Sequence, residues 1–162
     1  MLKKTVEDAL NKQFNAELYS SYLYLAMSAY FESFPLKGFA KWLRIQSREE
    51  LGHAMKFYDY IIDQQGSPKC AGIEAPKTPW KSPQAVFDQV SAHEQKVTGL
   101  INSLMDLAIK EKDYATQNFL GWFVKEQVEE EAQANDILAQ IKMLDDRPGH
   151  LFHLDHLVGK RK

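Results

Sequence analysis

The sequence predicts an all-α protein: an up-down-down-up four-helix bundle with a long crossover between its second and third helices and a short fifth helix at the C-terminus. Three observations lead there. Glycine and proline are scarce, and their clusters around Pro35 to Gly38, across Gly66 to Pro83 and at Pro148 and Gly149 divide the 162 residues into long uninterrupted blocks. Within each block apolar residues recur at helical spacing. The blocks are matched at about 28 residues, or roughly 42 Å of α-helix.

The first helix is expected over Thr5 to Phe34, with Val6, Leu10, Phe14, Glu17, Ser21, Tyr24 and Ser28 on one face. A second face, made by Tyr19, Leu23, Met27 and Tyr30, is apolar and would be exposed in a monomer, which predicts self-association. The second helix runs from Leu36 to Gln65, stops at Gly66, and carries the stripe Phe39, Leu43, Gln46, Glu50, Ala54, Phe57 and Ile61. Ser82 followed by Pro83 is an N-cap with proline at the first helical position, opening a third helix that ends near Lys110. Its seam is Phe87, Val90, Glu94, Val97, Ile101, Leu104 and Ala108. Asp113 caps a fourth helix that reaches about Leu144, with Leu120, Phe123, Gln127, Glu130, Ala134, Ile137, Ile141 and Leu144 facing inward.

Short links after the first and third helices make their neighbours antiparallel, while Ser67 to Lys81 is long enough to run the length of the bundle. After Gly149 a short helix carries Leu151, Phe152, Leu154, Leu157 and Val158, too apolar for a free tail, so it is expected to dock. The whole chain, 1–162, reads as one domain, with the bundle at about 5–144 and the last helix at about 149–159. The ending Lys160, Arg161, Lys162 reads as a frayed tail without a role.

Composition excludes other classes. With 44% hydrophobic and 26% charged residues the chain is neither disordered nor collagen-like. A net charge of −2 lacks the basic footprint of a nucleic-acid binder. One cysteine, Cys70, cannot close an intrachain disulfide or build a four-cysteine metal site, and no segment reads as a signal peptide or a membrane span. A soluble, cytoplasmic protein with no membrane or nucleic-acid partner is the expectation.

The core seams are interrupted by polar residues at matching depth. Glu17, Glu50, Glu94 and the pair Gln127 and Glu130 each fall near the middle of their own helix, and His53 follows Glu50 at i+3. No Lys or Arg shares these seams to neutralise the carboxylates. A buried ion costs several kcal/mol even after relaxation, out of a total stability of about 5–15 kcal/mol, so the layer calls for an external cation. Carboxylates with one imidazole, one amide and no thiolate favour iron or manganese, and four carboxylates balance two divalent ions.

The strings NAELYSSYLYL around Glu17 and Tyr24, REELGHAMKFYDY around Glu50 and His53, HEQKVT around Glu94, and NFLGWFVKEQVEEEAQ around Gln127 and Glu130 make the chain resemble the bacterial and archaeal non-haem ferritins over essentially its whole length. The resemblance implies a ferritin-like bundle and a di-iron ferroxidase centre. Glu17, Glu50 and His53 would hold the first iron, Glu94 and Glu130 the second, with Glu50 bridging and Gln127 in the amide position beside it. Tyr24 would stand next to the centre, either as an electron donor or as a core hydroxyl. Glu49, Glu126 and Glu129, with Glu130, would form a third iron site, although spacing alone describes a solvated acidic face. Gly52 stands where bacterioferritins place a haem-ligating methionine, so no haem is expected. The resemblance further implies a hollow 24-subunit cage, with Fe(II) and O2 as substrates, that stores iron as a ferric oxyhydroxide mineral. The fifth helix would line a shell axis, where His150, His153 and His156 are open to two readings, metal ligands at a pore or plain surface residues.

Overall fold

A computed structural model describes residues 2–144 and 148–162, and all of its regular elements are helical. They are α1 (Lys4–Glu32), α2 (Lys37–Asp63), α3 (Pro83–Lys110), α4 (Tyr114–Met143) and α5 (Pro148–Val158), each end within two residues of its expected position. Asp145, Asp146 and Arg147, and Met1, lie outside the described residues.

Local chemistry sets the ends. Ser82 Oγ accepts from the Ala85 N–H at 3.1 Å with Pro83 opening α3, as the sequence predicts. At the end of α3, Lys112 takes a left-handed φ of 55° and the Asp113 N–H bonds back to Ala108 O at 2.9 Å, closing a Schellman motif. Asp113 then turns at once into the N-cap of α4, accepting from the Thr116 N–H at 3.0 Å and from its hydroxyl at 2.7 Å. One aspartate thus ends one helix and starts the next, which keeps this link tight. At the end of α2 the same motif falls on Gln65 (φ 61°), with the Gly66 N–H bonded to Ile61 O at 2.8 Å.

α1 packs along α2 and α3 along α4, with α1 also against α3. The crossover between α2 and α3 is pinned to α1 by two asparagines one turn apart. Asn11 donates to Ser67 O and accepts from the Lys69 N–H, while Asn15 donates to Lys69 O and accepts from the Ala71 N–H, at 2.6–3.1 Å. Trp80 ends the crossover beside Tyr30, near the C-terminus of α1, and donates to Gln89 at 2.6 Å. The connection therefore travels the length of α1, making α3 parallel to α2 and the order up, down, down, up.

That route overturns one expectation. The second apolar face of α1 is not an exposed patch: Leu23 and Met27 are 1% and 0% exposed, and Tyr19 and Tyr30 pack against the same core. The crossover and α3 cover this side, since Tyr30 meets Trp80 and Tyr19 meets His93. The exposed apolar residues of α1 are Tyr22 and Leu25 instead.

α5 docks on α2 and α4 through Leu151 and Leu154, both buried, while Phe152, Leu157 and the three histidines stay exposed. His150 Nδ1 donates to Leu144 O at 3.0 Å. Two glycines let α5 approach α2: a Cβ on Gly38 would meet Asp155 O at 1.8 Å, and one on Gly159 would meet Gly38 Cα at 2.8 Å. Asp155, buried there, accepts from the Phe39 N–H at 2.8 Å and so satisfies an orphan donor of the first turn of α2. Asp155→Ala is expected to lower stability by about 1–2 kcal/mol, the usual cost of a lost N-terminal cap, and to free α5 for proteolysis before the bundle unfolds. Urea denaturation with limited proteolysis tests this; unchanged cleavage kinetics would refute the capping role.

The tail is not frayed. Lys160 and Arg161 continue the turn past α5, and Arg161 reaches back onto α2, where its guanidinium lies over the Trp42 ring. Sequence spacing gave no sign of this because the partners are more than a hundred residues away.

Candidate metal centre

The core divides into two apolar clusters. One centres on Phe31, Phe39, Phe87 and Ile141, the other on Leu10, Phe57, Ile101 and Phe123. Between them lies the polar layer, with Glu17 from α1, Glu50 and His53 from α2, Glu94 from α3, and Gln127 and Glu130 from α4, all buried. Among the described residues three groups bring one ligand atom each within 4.8 Å of one another: Glu17, Glu50 and His53; Glu50, Glu94 and Glu130; and His53, Glu126 and Glu130. Glu50 belongs to two of them, between the α1 side and the α3–α4 side.

Amides and a phenol hold the carboxylates in place. Gln13 Nε2 donates to Glu17 Oε1 at 2.7 Å, and Gln46 Nε2 donates both to Glu50 Oε1 at 2.8 Å and to Glu130 Oε2 at 2.7 Å. Tyr24 donates its hydroxyl to Glu94 Oε1, and Gln127 Nε2 reaches Glu94 Oε2 at 3.2 Å. His53 Nδ1 lies 3.3 Å from Glu50 Oε2, and Nε2 lies 3.9 Å from Glu126 Oε1. Glu17 Oε2 is buried with no hydrogen-bond partner among the described residues. A buried anionic oxygen left open costs its full desolvation unless a proton or a cation meets it.

The charges perturb one another accordingly. Burial, reinforced by the nearby Glu50, raises Glu17 well above the usual carboxylate range and lifts Glu94 to about 7. Burial followed by Glu50 and Glu94 lifts Glu130 to about 8. For His53 burial favours the neutral ring, but the hydrogen bond and charge of Glu50, helped by Glu17 and Glu130, outweigh it and raise the imidazole to about 9. Tyr24 is raised well above its ordinary value by burial and then by Glu94, so it stays a phenol and a donor. Without a cation the layer therefore holds protons at neutral pH, and divalent ions are suited to replace them.

The remaining expected residues are placed unevenly. Glu126 faces His53 and Glu130. Glu49 instead accepts from Arg161, and exposed Glu129 lies 3.9 Å from Lys125; neither joins the three groups. Gln127 presents its nitrogen to Glu94 and to Thr98 Oγ1 at 3.3 Å. Sequence reasoning assigned no role to Gln13 or Gln46, yet a shared signal marks both: each stands four residues before an inward glutamate, within reach on one helix face.

The fold and this layer together define a four-helix bundle whose core can hold metal ions. A ferritin-like domain family matches residues 7–144. The chain belongs to the ferritin family, among the non-haem ferritins of bacteria and archaea. It is 45% identical over 161 residues to a bacterial non-heme ferritin of Bacteroides fragilis, covering 99% of this chain and 100% of that one. Identity is 41% over 152 residues to one from Staphylococcus saprophyticus, covering 94% and 91%. Among solved structures, an open-pore ferritin from the archaeon Archaeoglobus fulgidus superposes with a TM-score of 0.98 at 45% identity, over 100% of both chains. Among the described residues no helix is long and apolar enough to cross a membrane.

Proposed function

We infer that this chain stores and detoxifies iron, taking Fe(II) as substrate at the layer, oxidising it with O2, and passing Fe(III) to a ferric oxyhydroxide mineral inside a hollow shell. The observation that carries the reading is the buried layer of four carboxylates and one histidine, with a glutamate shared by two ligand groups and an oxygen of Glu17 left open. Membership of the ferritin family supports iron as the metal. Glu17, Glu50 and His53 hold one Fe(II), and Glu50, Glu94 and Glu130 the other. Hard carboxylates stabilise Fe(III) over Fe(II) and so favour electron loss.

The protein's part is chiefly positional. Gln13 and Gln46 fix one oxygen of Glu17, Glu50 and Glu130, leaving the others for iron. Tyr24 and Gln127 orient Glu94, and the phenol stands beside the centre as a candidate electron donor. Glu126 and Glu130, with Glu49 and Glu129 on the same turns, form an acidic exit and third iron site; there Glu49 must first leave Arg161. Likeness to an archaeal open-pore ferritin supports assembly into a hollow shell; 24 subunits, a cytoplasmic location and the absence of haem belong to the same proposal.

Aerobic addition of hundreds of Fe(II) per assembly to the purified apoprotein tests the whole reading. Iron-filled shells are expected by sizing and electron microscopy. Uptake that stops at two or three irons per chain without mineral would refute storage and favour a di-iron oxidase acting on an organic substrate.

A further inference from the structure

The C-terminal segment brings a permanent cation to the edge of the carboxylate layer. Arg161 is one-sixth exposed, with its side chain at 17%. NH1 donates to Gln46 Oε1 at 2.8 Å, NH2 donates to Glu49, and the guanidinium lies 4.6 Å from the centre of the Trp42 ring. Stacking, fork geometry and charge together make this an arginine site that lysine cannot reproduce.

The consequence lies in Gln46. A primary amide has an acceptor oxygen at one end and a donor nitrogen at the other. With the oxygen held by Arg161, the nitrogen must face the core, where it donates to both Glu50 and Glu130. Glu50 and Glu130 are thereby tied across α2 and α4 by one group. Without the guanidinium nothing distinguishes the two ends of the amide except the carboxylates themselves, and an arriving cation would favour the flipped form, in which the amide oxygen becomes a ligand. We propose that Arg161 is a positioning residue for the metal centre: through Gln46 it spaces Glu50 and Glu130 for a metal ion and keeps the amide oxygen out of the coordination sphere. The inference rests on the metal reading above and adds the C-terminal tail to the centre.

Co(II) titration of the apoprotein, followed by visible absorption and calorimetry, tests it on the wild type, R161M, R161K, Q46L and the double variant R161M/Q46L. In R161M the affinity for the second Co(II) is expected to fall about tenfold, the usual scale for loss of an outer partner of a ligand, and the absorption envelope to change as the amide oxygen enters. R161K is expected to keep the altered spectrum, since one ammonium cannot hold both Gln46 and Glu49. Removing Arg161 should have no further effect once Gln46 is gone, so R161M/Q46L should match Q46L. A spectrum and affinity in R161M equal to the wild type would overturn the proposal while leaving the metal centre intact. So would an equal loss from R161M with and without Gln46, which would assign the effect to charge or to α5 docking. A wild-type chain that binds no Co(II) would overturn the metal reading and this inference with it.

Discussion

Glu50→Ala is expected to abolish binding of two metal ions per chain and to slow iron oxidation at least about a hundredfold, beyond the 10–100-fold that loss of a mere outer partner costs. Glu50 is the residue common to the Glu17, Glu50 and His53 group and the Glu50, Glu94 and Glu130 group, so its loss removes a ligand from both at once. Its charge also helps to raise Glu17, Glu94, Glu130 and His53 above their ordinary ranges. In the variant the three carboxylates should titrate closer to the ordinary range and His53 should lose its main partner. The fold should survive, because removing one of four mutually repelling buried carboxylates relieves desolvation and like-charge repulsion while Glu17 and Glu130 remain to offset the charge of His53. Stopped-flow oxidation together with a thermal melt separates these effects. A variant that melts normally and still oxidises Fe(II) at the wild-type rate would remove Glu50, and the shared-ligand geometry, from the mechanism.

What the sequence made legible follows from which constraints are local. Helix ends were readable because Ser82, Pro83 and Asp113 act within one turn of themselves. The polar layer was readable because a glutamate on an apolar stripe is conspicuous whatever lies opposite it, and matched helix lengths bring the four to one depth. The face of Tyr19, Leu23, Met27 and Tyr30 was misassigned for the converse reason: an irregular crossover leaves no periodic pattern, so its capacity to cover α1 was invisible until Asn11 and Asn15 were seen to hold it. Arg161 was the hardest residue. Its function depends on α5 folding back through Gly38 and Gly159, a tertiary event that a run of Lys, Arg and Lys does not announce. The acidic residues around the layer illustrate the same limit, since Glu49, Glu126 and Glu129 are alike in sequence while one faces Arg161, one faces His53 and one faces solvent.

Metal binding should be strongly proton-coupled, with affinity rising more than tenfold per pH unit between pH 6 and 7. A bound cation requires Glu94, Glu130 and His53 without their protons, and in the metal-free protein these titrate at about 7, 8 and 9. Below pH 7 more than one proton must therefore leave for each pair of ions, and the slope of log affinity against pH equals that number. Zn(II) calorimetry in buffers of different ionisation enthalpy counts the protons directly, without the complication of oxidation; a count near zero at pH 6.5 would refute the perturbed layer. The same groups give the metal-free fold a pH dependence of definite sign. All three are raised on folding, so their contribution to stability is complete below their unfolded values and is lost as pH rises through 7 to 9. The apoprotein should thus melt at progressively lower temperature across that interval. The Zn(II)-loaded protein should hold a nearly constant melting temperature there, since its native layer and the unfolded chain then both lack these protons and tighter binding offsets the loss. Melting temperatures that diverge as pH rises would identify the layer as a site whose charge the fold tolerates only with a partner, and this also accounts for burying four glutamates where an apolar seam would have been the more stable choice.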